Sequence, residues 1–221
     1  MKIFLLLSAI SLLFITTSCN EVASESPETT KYVHVPPTLP EDTYGQLRPG
    51  DIILRKGNGP LSFHLMNNTK ESYSHCGIVV NEDGEWKVIH TIGGSATDDS
   101  TDGIQLIDLD DFVAHAADSM LFICRPIFTD SAGAKVAKSA YRHLDDGLPF
   151  DHAFSLFTPD KMYCSELLYY IFKEVNGSNI FDVQKKHKSY MLMFSTFFHE
   201  DKFEPIFHLT PNKEEWYVLS E

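Results

Sequence analysis

Between Ser74 and Ile92 the chain carries two apolar runs, Ser74-His75-Cys76-Gly77-Ile78-Val79-Val80 and Trp86-Lys87-Val88-Ile89-His90-Thr91-Ile92, joined by Asn81-Glu82-Asp83-Gly84. Short runs rich in β-branched residues on either side of a polar, glycine-ended turn predict an antiparallel hairpin. With the turn over residues 81–84, Val80 faces Glu85, and the pairing carries through to His75 opposite His90. Directly opposed residues share a face with side chains close enough to interact. A slip of one residue would put His90 on the other face.

Further segments supply this hairpin with neighbours. Leu47-Arg48-Pro49-Gly50 is a turn signal before a short strand, Asp51-Ile52-Ile53-Leu54-Arg55. Ile104 to Ile107 and Met120 to Ile127 read as strands, after a polar excursion from Gly93 to Gly103. Leu61 to Asn68, Asp110 to Ala117 and Ala134 to Leu144 have helical composition, the last ending before Gly147-Leu148-Pro149. A stronger helix begins near Tyr163: Cys164, Leu168 and Ile171 share one face, with Leu167 and Val175 alongside, and Gly177 stops it. Thr158-Pro159-Asp160 offers capping residues at its start. After Asn179 the pattern weakens; Tyr190 to Phe198 is apolar and aromatic, and Phe203 to Leu209 and Trp216 to Leu219 read as further strands or edge segments. The expected architecture is α+β, a mostly antiparallel sheet with packed helices.

The first segment stands apart from that core. Met1-Lys2 and the apolar run Ile3 to Ile15, too short to span a membrane stably, precede Thr16, Thr17, Ser18 and Cys19. This resembles a bacterial lipoprotein signal, cleaved before Cys19, whose sulfur then carries lipid. Residues 1–18 are expected to be the signal, 19–41 (rich in Ser, Thr, Glu and Pro) a flexible tether, and 42–221 the folded domain. The expected place is the bacterial cell envelope, with the membrane contacted through the lipid anchor. A net charge of −13 argues against nucleic acid or anionic lipid as the main partner.

The four cysteines are Cys19, Cys76, Cys124 and Cys164. With Cys19 lipidated, three remain and at least one is unpaired. No CxxC pair and no HExxH spacing occurs among the cysteines and ten histidines, so neither a metal nor another cofactor is expected. Cys76 and Cys124 fall within apolar strands, where burial raises a thiol's pKa and removes access. Cys164 falls at a helix N-terminus, where the dipole favours thiolate. His75 is the candidate base, with His90 to orient it, and Gly77 would leave space beside the imidazole for a substrate or a close helix. Tyr163 and Ser165 flank the nucleophile, where backbone N–H groups could hold an oxyanion.

Four motifs in order carry a resemblance: Pro49-Gly50-Asp51-Ile52-Ile53, Ser74 to Ile78, Gly147-Leu148-Pro149-Phe150-Asp151, and Tyr163-Cys164-Ser165-Glu166-Leu167. Together they resemble the YiiX-like branch of the NlpC cysteine-peptidase superfamily, the circularly permuted papain-like hydrolases. The resemblance implies Cys164 as nucleophile and His75 as general base. It maps the third polar position to His90, often an acid in that branch. It also implies a peptidase or amidase acting through an acyl-enzyme on an amide- or ester-containing envelope substrate, peptidoglycan stem peptides among them. Lipid acyl transfer or ester hydrolysis, with residues 190–209 lining an acyl pocket, and an inactive binding module are the alternative readings.

Overall fold

The computed structural model describes residues 36–93, 102–128, 131–186 and 189–211. The expected signal 1–18, Cys19, most of the tether and the segment Trp216 to Leu219 lie outside the described residues. Six strands form one antiparallel sheet: β1 (Ile52–Arg55), β2 (His75–Glu82), β3 (Glu85–Ile92), β4 (Gly103–Asp108), β5 (Leu121–Pro126) and β8 (Phe203–Leu209). Their order across the sheet is β4-β3-β2-β1-β5-β8, and β6 (Val183–Lys186) and β7 (Ser189–Leu192) pair separately as a hairpin. Five α-helices accompany them: α1 (Glu41–Tyr44), α2 (Pro60–Thr69), α3 (Leu109–Ala114), α4 (Ala132–Asp146) and α5 (Cys164–Asn176). The architecture is α+β.

Alternation along the strands makes two cores, one on each face of the sheet. Ile52, Leu54, Cys76, Ile78, Val80 and Ile89 pack against α4 and α5 through Val136, Ala140, Leu167, Leu168 and Ile171. Ile53, Val79, Val88, Leu121 and Ile123 form the other face, covered by Leu109, Phe112 and Val113 of α3. Leu39 and Leu47 join this second core, so packing begins before residue 42. Helix α5 holds its place by burying Leu167, Leu168, Ile171 and Phe172 completely, each contributing about 1.5–3 kcal/mol. It ends as its sequence requires: Gly177 takes the left-handed conformation (φ 75°) and its N–H donates to the Lys173 carbonyl at 2.9 Å.

The β2–β3 hairpin departs from the expected register. Glu82 pairs with Glu85, so the turn is the dipeptide Asp83-Gly84, with φ of 52° and 95°. Two successive positive φ values are what a two-residue type I′ turn needs, and Asp-Gly supplies them cheaply. Ile78 therefore faces Ile89, a shift of two residues from the expected pairing. An even shift leaves every side chain on its expected face. His75 and His90 become diagonal neighbours and not directly opposed ones.

The turn into β1 explains Pro49-Gly50-Asp51. Gly50 has φ +93°, and a Cβ there would sit 1.9 Å from the Gly133 carbonyl oxygen at the start of α4. Fully buried Asp51 accepts hydrogen bonds from Arg125 Nε and Nη2, each at 2.8 Å, and from the Arg48 N–H at 2.8 Å. This ties the β1 entry to β5. Replacement of Gly50 by alanine is expected to cost roughly 2 kcal/mol or more, from the strained φ and the collision with α4. Urea unfolding of G50A against wild type measures it, and a loss below half of that would show that α4 moves away freely.

Candidate active site

Cys164 is the first residue of α5, and Tyr163 is its N-cap. The backbone donors of a helix's first turn have no partners inside the helix, so this end attracts negative charge. Cys76 of β2 belongs to the same apolar core as the thiol. The Cys76 side chain foremost, then backbone N–H groups of Ser165, Cys76 and Cys164, hold the Cys164 thiol below its ordinary pKa, against burial, which pushes it up. Cys76 itself is pushed well above the usual thiol range, first by burial and then by Cys164. Burial does the same to Cys124. Tyr163 is buried, and burial raises its phenol well above the ordinary value.

Two buried carboxylates shape the loop that delivers the cysteine. Asp151 accepts the N–H groups of Ala153 (2.9 Å) and Ser155 (2.8 Å) and the hydroxyl of Thr158 (3.4 Å). Glu166, fully buried, accepts the Phe157 N–H at 3.0 Å and the Tyr163 N–H at 3.4 Å. The second of these is the returning half of a capping box, from the third helical position to the N-cap. Thr158-Pro159-Asp160, expected to cap the helix, stand upstream of it; the Thr158 hydroxyl also donates to the Ser155 carbonyl. The loop is further fixed by the Asp151 N–H to the Met162 carbonyl and by the Thr91 hydroxyl to the same oxygen, at 3.2 and 3.1 Å. Within it Phe154 and Phe157 hold positive φ, 49° and 80°, costly for bulky side chains.

The two imidazoles meet. His75 Nε2 lies 2.9 Å from His90 Nδ1, with the rings edge to face and their centroids 5.1 Å apart. Their surroundings hold Phe112 of α3, stacked on His75 at 5.5 Å, and buried Arg55, paired across β1–β2 with His75. The Arg55 guanidinium lies 4.2 Å over the Phe112 ring and donates from Nη1 to the Phe112 carbonyl at 2.7 Å. Burial foremost, then the Arg55 charge and His90, keeps His75 well below the ordinary imidazole pKa. Burial, Arg55 and His115 bring His90 down to about 3. Both rings are therefore neutral at neutral pH.

The structure joins His75 to His90 but does not hydrogen-bond either to Cys164. The reason is the strand period. Cys76 projects toward α5, and its neighbour His75 projects to the α3 face. Nor does Gly77 leave space for a substrate or a helix: a Cβ there would lie 2.4 Å from Val88 Cγ1 and 3.2 Å from His90 Cβ. The glycine admits the side chains of β3. Arg55, Phe112, Asp151 and Glu166 stand outside the roles legible in the sequence. The Glu at the third helical position was a readable signal for the last of these, and the Asp151 turn another.

Cys164 opens into a cleft between α2, the 150–163 loop and the β6–β7 hairpin. Leu65 and Thr69 line one side, Phe154 and Tyr163 another, and Met191, Leu192 and Phe194 a third. Its empty volume, open mouth included, is about 410 Å³, and its walls are mostly apolar. Among the described residues, no three His, Cys, Asp or Glu side chains are grouped closely enough to hold a metal ion.

Burial foremost, with the Asp151 charge adding, pushes Glu166 from an ordinary 4.5 up to about 7. An acid raised on folding favours the native state while it is neutral in both states. That contribution is whole below about pH 4.5 and is lost as pH rises through about 7. Glu166→Gln, permanently neutral and still an acceptor, should gain on wild type in urea unfolding as pH rises across this window. A constant difference between the two would show that Glu166 is ionised in the fold at all these pH values.

Residues 46–201 match a family described as permuted papain-like amidase enzyme, YaeF/YiiX, C92 family. No curated protein matches the chain. Among solved structures it is similar to one described as the metalloprotein yiiX from Escherichia coli O157:H7. The TM-score is 0.62 at 19% identity, over 75% of this chain and 99% of that one, a likeness of fold. The family match covers well over half of the sequence and takes in His75, His90 and Cys164, and the chain therefore belongs to the permuted papain-like amidases, a family of cysteine hydrolases.

Proposed function

We propose that the protein is a bacterial cell-envelope amidase that works through an acyl-enzyme on Cys164. The observation that carries this reading is the Cys164 thiol itself: first in α5, biased toward thiolate, and lining an open cleft. His75 takes the Cys164 proton on Nδ1 while its Nε2–H donates to His90 Nδ1. The thiolate adds to the amide carbonyl, and the N–H groups of Cys164 and Ser165 at the helix start hold the oxyanion. Collapse expels the amine, which takes the proton from His75. Water, giving a proton to His75, then hydrolyses the thioester and restores the thiol. The step asks the His75 ring to come round the end of β2, where it is the first strand residue. Catalytic hydrogen bonds commonly tighten only once substrate is bound. The envelope placement rests on the Met1–Cys19 pattern.

The apolar walls of the cleft favour a second reading beside peptidoglycan-type amides, an amide or ester of an aliphatic acyl chain. Incubation with muropeptides and with phospholipids, followed by mass spectrometry, separates the two. Product from lipid alone, lost in Cys164→Ala, would remove the peptidoglycan reading.

Iodoacetamide should alkylate Cys164 well ahead of Cys76 and Cys124, and Cys164→Ala should abolish turnover. His75→Gln should lower turnover by about 10²–10⁴-fold, the usual worth of a general base. Equal labelling of all three thiols, or turnover retained in Cys164→Ala, would end the nucleophile assignment. Wild-type turnover in His75→Gln would end the base assignment alone.

A further inference from the structure

We propose that Arg55 is a positioning residue for His75: its guanidinium holds the Phe112 ring against the imidazole and sets a fixed positive charge beside it. Its part in turnover rests on His75 being the general base; its hold on the imidazole does not. Register brings the two together. Arg55, the last residue of β1, pairs with His75, the first of β2, so both side chains share the α3 face. The Arg55 carbonyl also accepts the Ser74 N–H at 3.2 Å, which fixes the backbone just before the histidine.

Phe112 completes the arrangement. It stands in the last turn of α3, where backbone carbonyls have no partners within the helix. Arg55 Nη1 donates to the Phe112 carbonyl at 2.7 Å, and a cation is favoured at this end of a helix. The guanidinium carbon is 4.2 Å from the centre of the Phe112 ring, and the same ring stacks on His75 at 5.5 Å with 22° between the planes. His90 meets that ring edge-on, also at 5.5 Å. One aromatic ring thus has the cation and both imidazoles against it.

Arg55 is only 7% exposed, and among the described residues no carboxylate pairs with it. Burial lowers it only to about 10, so it is charged at neutral pH and acts undiminished on its neighbours. The groups facing His75 are Arg55 from β1, His90 from β3 and the uncharged Phe112 ring from α3; His115, just past α3, acts on His90. A fixed cation disfavours a protonated imidazole, so His75 is kept ready as a base. Once it has taken the Cys164 proton, the same charge makes it a stronger acid toward the leaving amine.

The test follows the imidazoles of the full chain by NMR from acid to alkaline pH, with labelled histidines and His75→Gln to identify the His75 signal. In wild type His75 should titrate below the ordinary imidazole value of about 6.5. Arg55→Met should move it up toward that value, and Arg55→Lys, which keeps the charge, should leave it low. The acid limb of kcat/KM should move up in Arg55→Met alone. Both variants should lose kcat by roughly tenfold or more with KM unchanged, because neither covers the Phe112 ring with a planar guanidinium. Wild-type kcat in Arg55→Lys would overturn the positioning role, and a His75 titration unmoved in folded Arg55→Met would overturn the role of the charge. Circular dichroism shows that each variant is folded. Should Arg55→Met fail to fold, wild type and Arg55→Lys decide, and a wild-type His75 titrating at its ordinary value overturns the proposal. The expected His75 titrations together with turnover retained in Cys164→Ala would leave the hold of Arg55 on His75 standing and remove the amidase mechanism.

Discussion

Neighbouring residues on a strand project to opposite faces, and on β2 this period divides the chemistry of the molecule. Cys76 goes to the α5 face, into the core that also holds Cys164. His75 goes to the α3 face and meets His90, Phe112 and Arg55. The two surroundings have opposite electrostatic effects. On one side a thiol and helix-end N–H groups favour an ionised sulfur. On the other, burial and a guanidinium favour a neutral imidazole. A thiol ready to lose a proton and an imidazole free to accept one thus flank a single strand.

The motifs around this strand are mostly devices for burying acids safely. An isolated ionised carboxylate in a low-dielectric interior is very costly, so each must be hydrogen-bonded or neutral. Asp51 takes the guanidinium of Arg125 and ties β1 to β5. Asp151 collects donors from its own loop. Glu166 collects two backbone N–H groups and sits near neutrality. Those bonds offset the strained backbone at Phe154 and Phe157, about 1–3 kcal/mol each. Together with the bonds from the Asp151 N–H and the Thr91 hydroxyl to the Met162 carbonyl, they hold the shape that leaves the thiol at the cleft.

Much of this is legible in the sequence. The apolar runs located strands β1 to β5, and Gly147 and Gly177 marked the ends of α4 and α5. The hairpin register was readable in principle from Asp83-Gly84, because two consecutive positive φ values single out that dipeptide. Taking four turn residues in place of two moved the pairing by two positions and left the faces intact. The start of α5 is legible near Tyr163, but its cap is not: Thr158-Pro159-Asp160 has capping composition, while the actual cap runs backward from Glu166. Gly77 was legible as a place of close approach, but not the side chains that approach it, Val88 and His90.

Local sequence by itself determined the strand hairpin, the helix that begins at Cys164, the shared face of His75 and His90, and the motif order of a permuted papain-like hydrolase. These depend on periodicity, turn conformation and helix ends, all of which act over a few residues. Tertiary structure alone decided that Cys164 shares a core with Cys76, that Arg55 and Phe112 enclose the imidazoles, and that an apolar cleft opens over the thiol. Those contacts join β1, β2, α2, α3, α5 and the β6–β7 hairpin. Only close packing of both faces of the sheet fixes which of these side chains come into reach of one another.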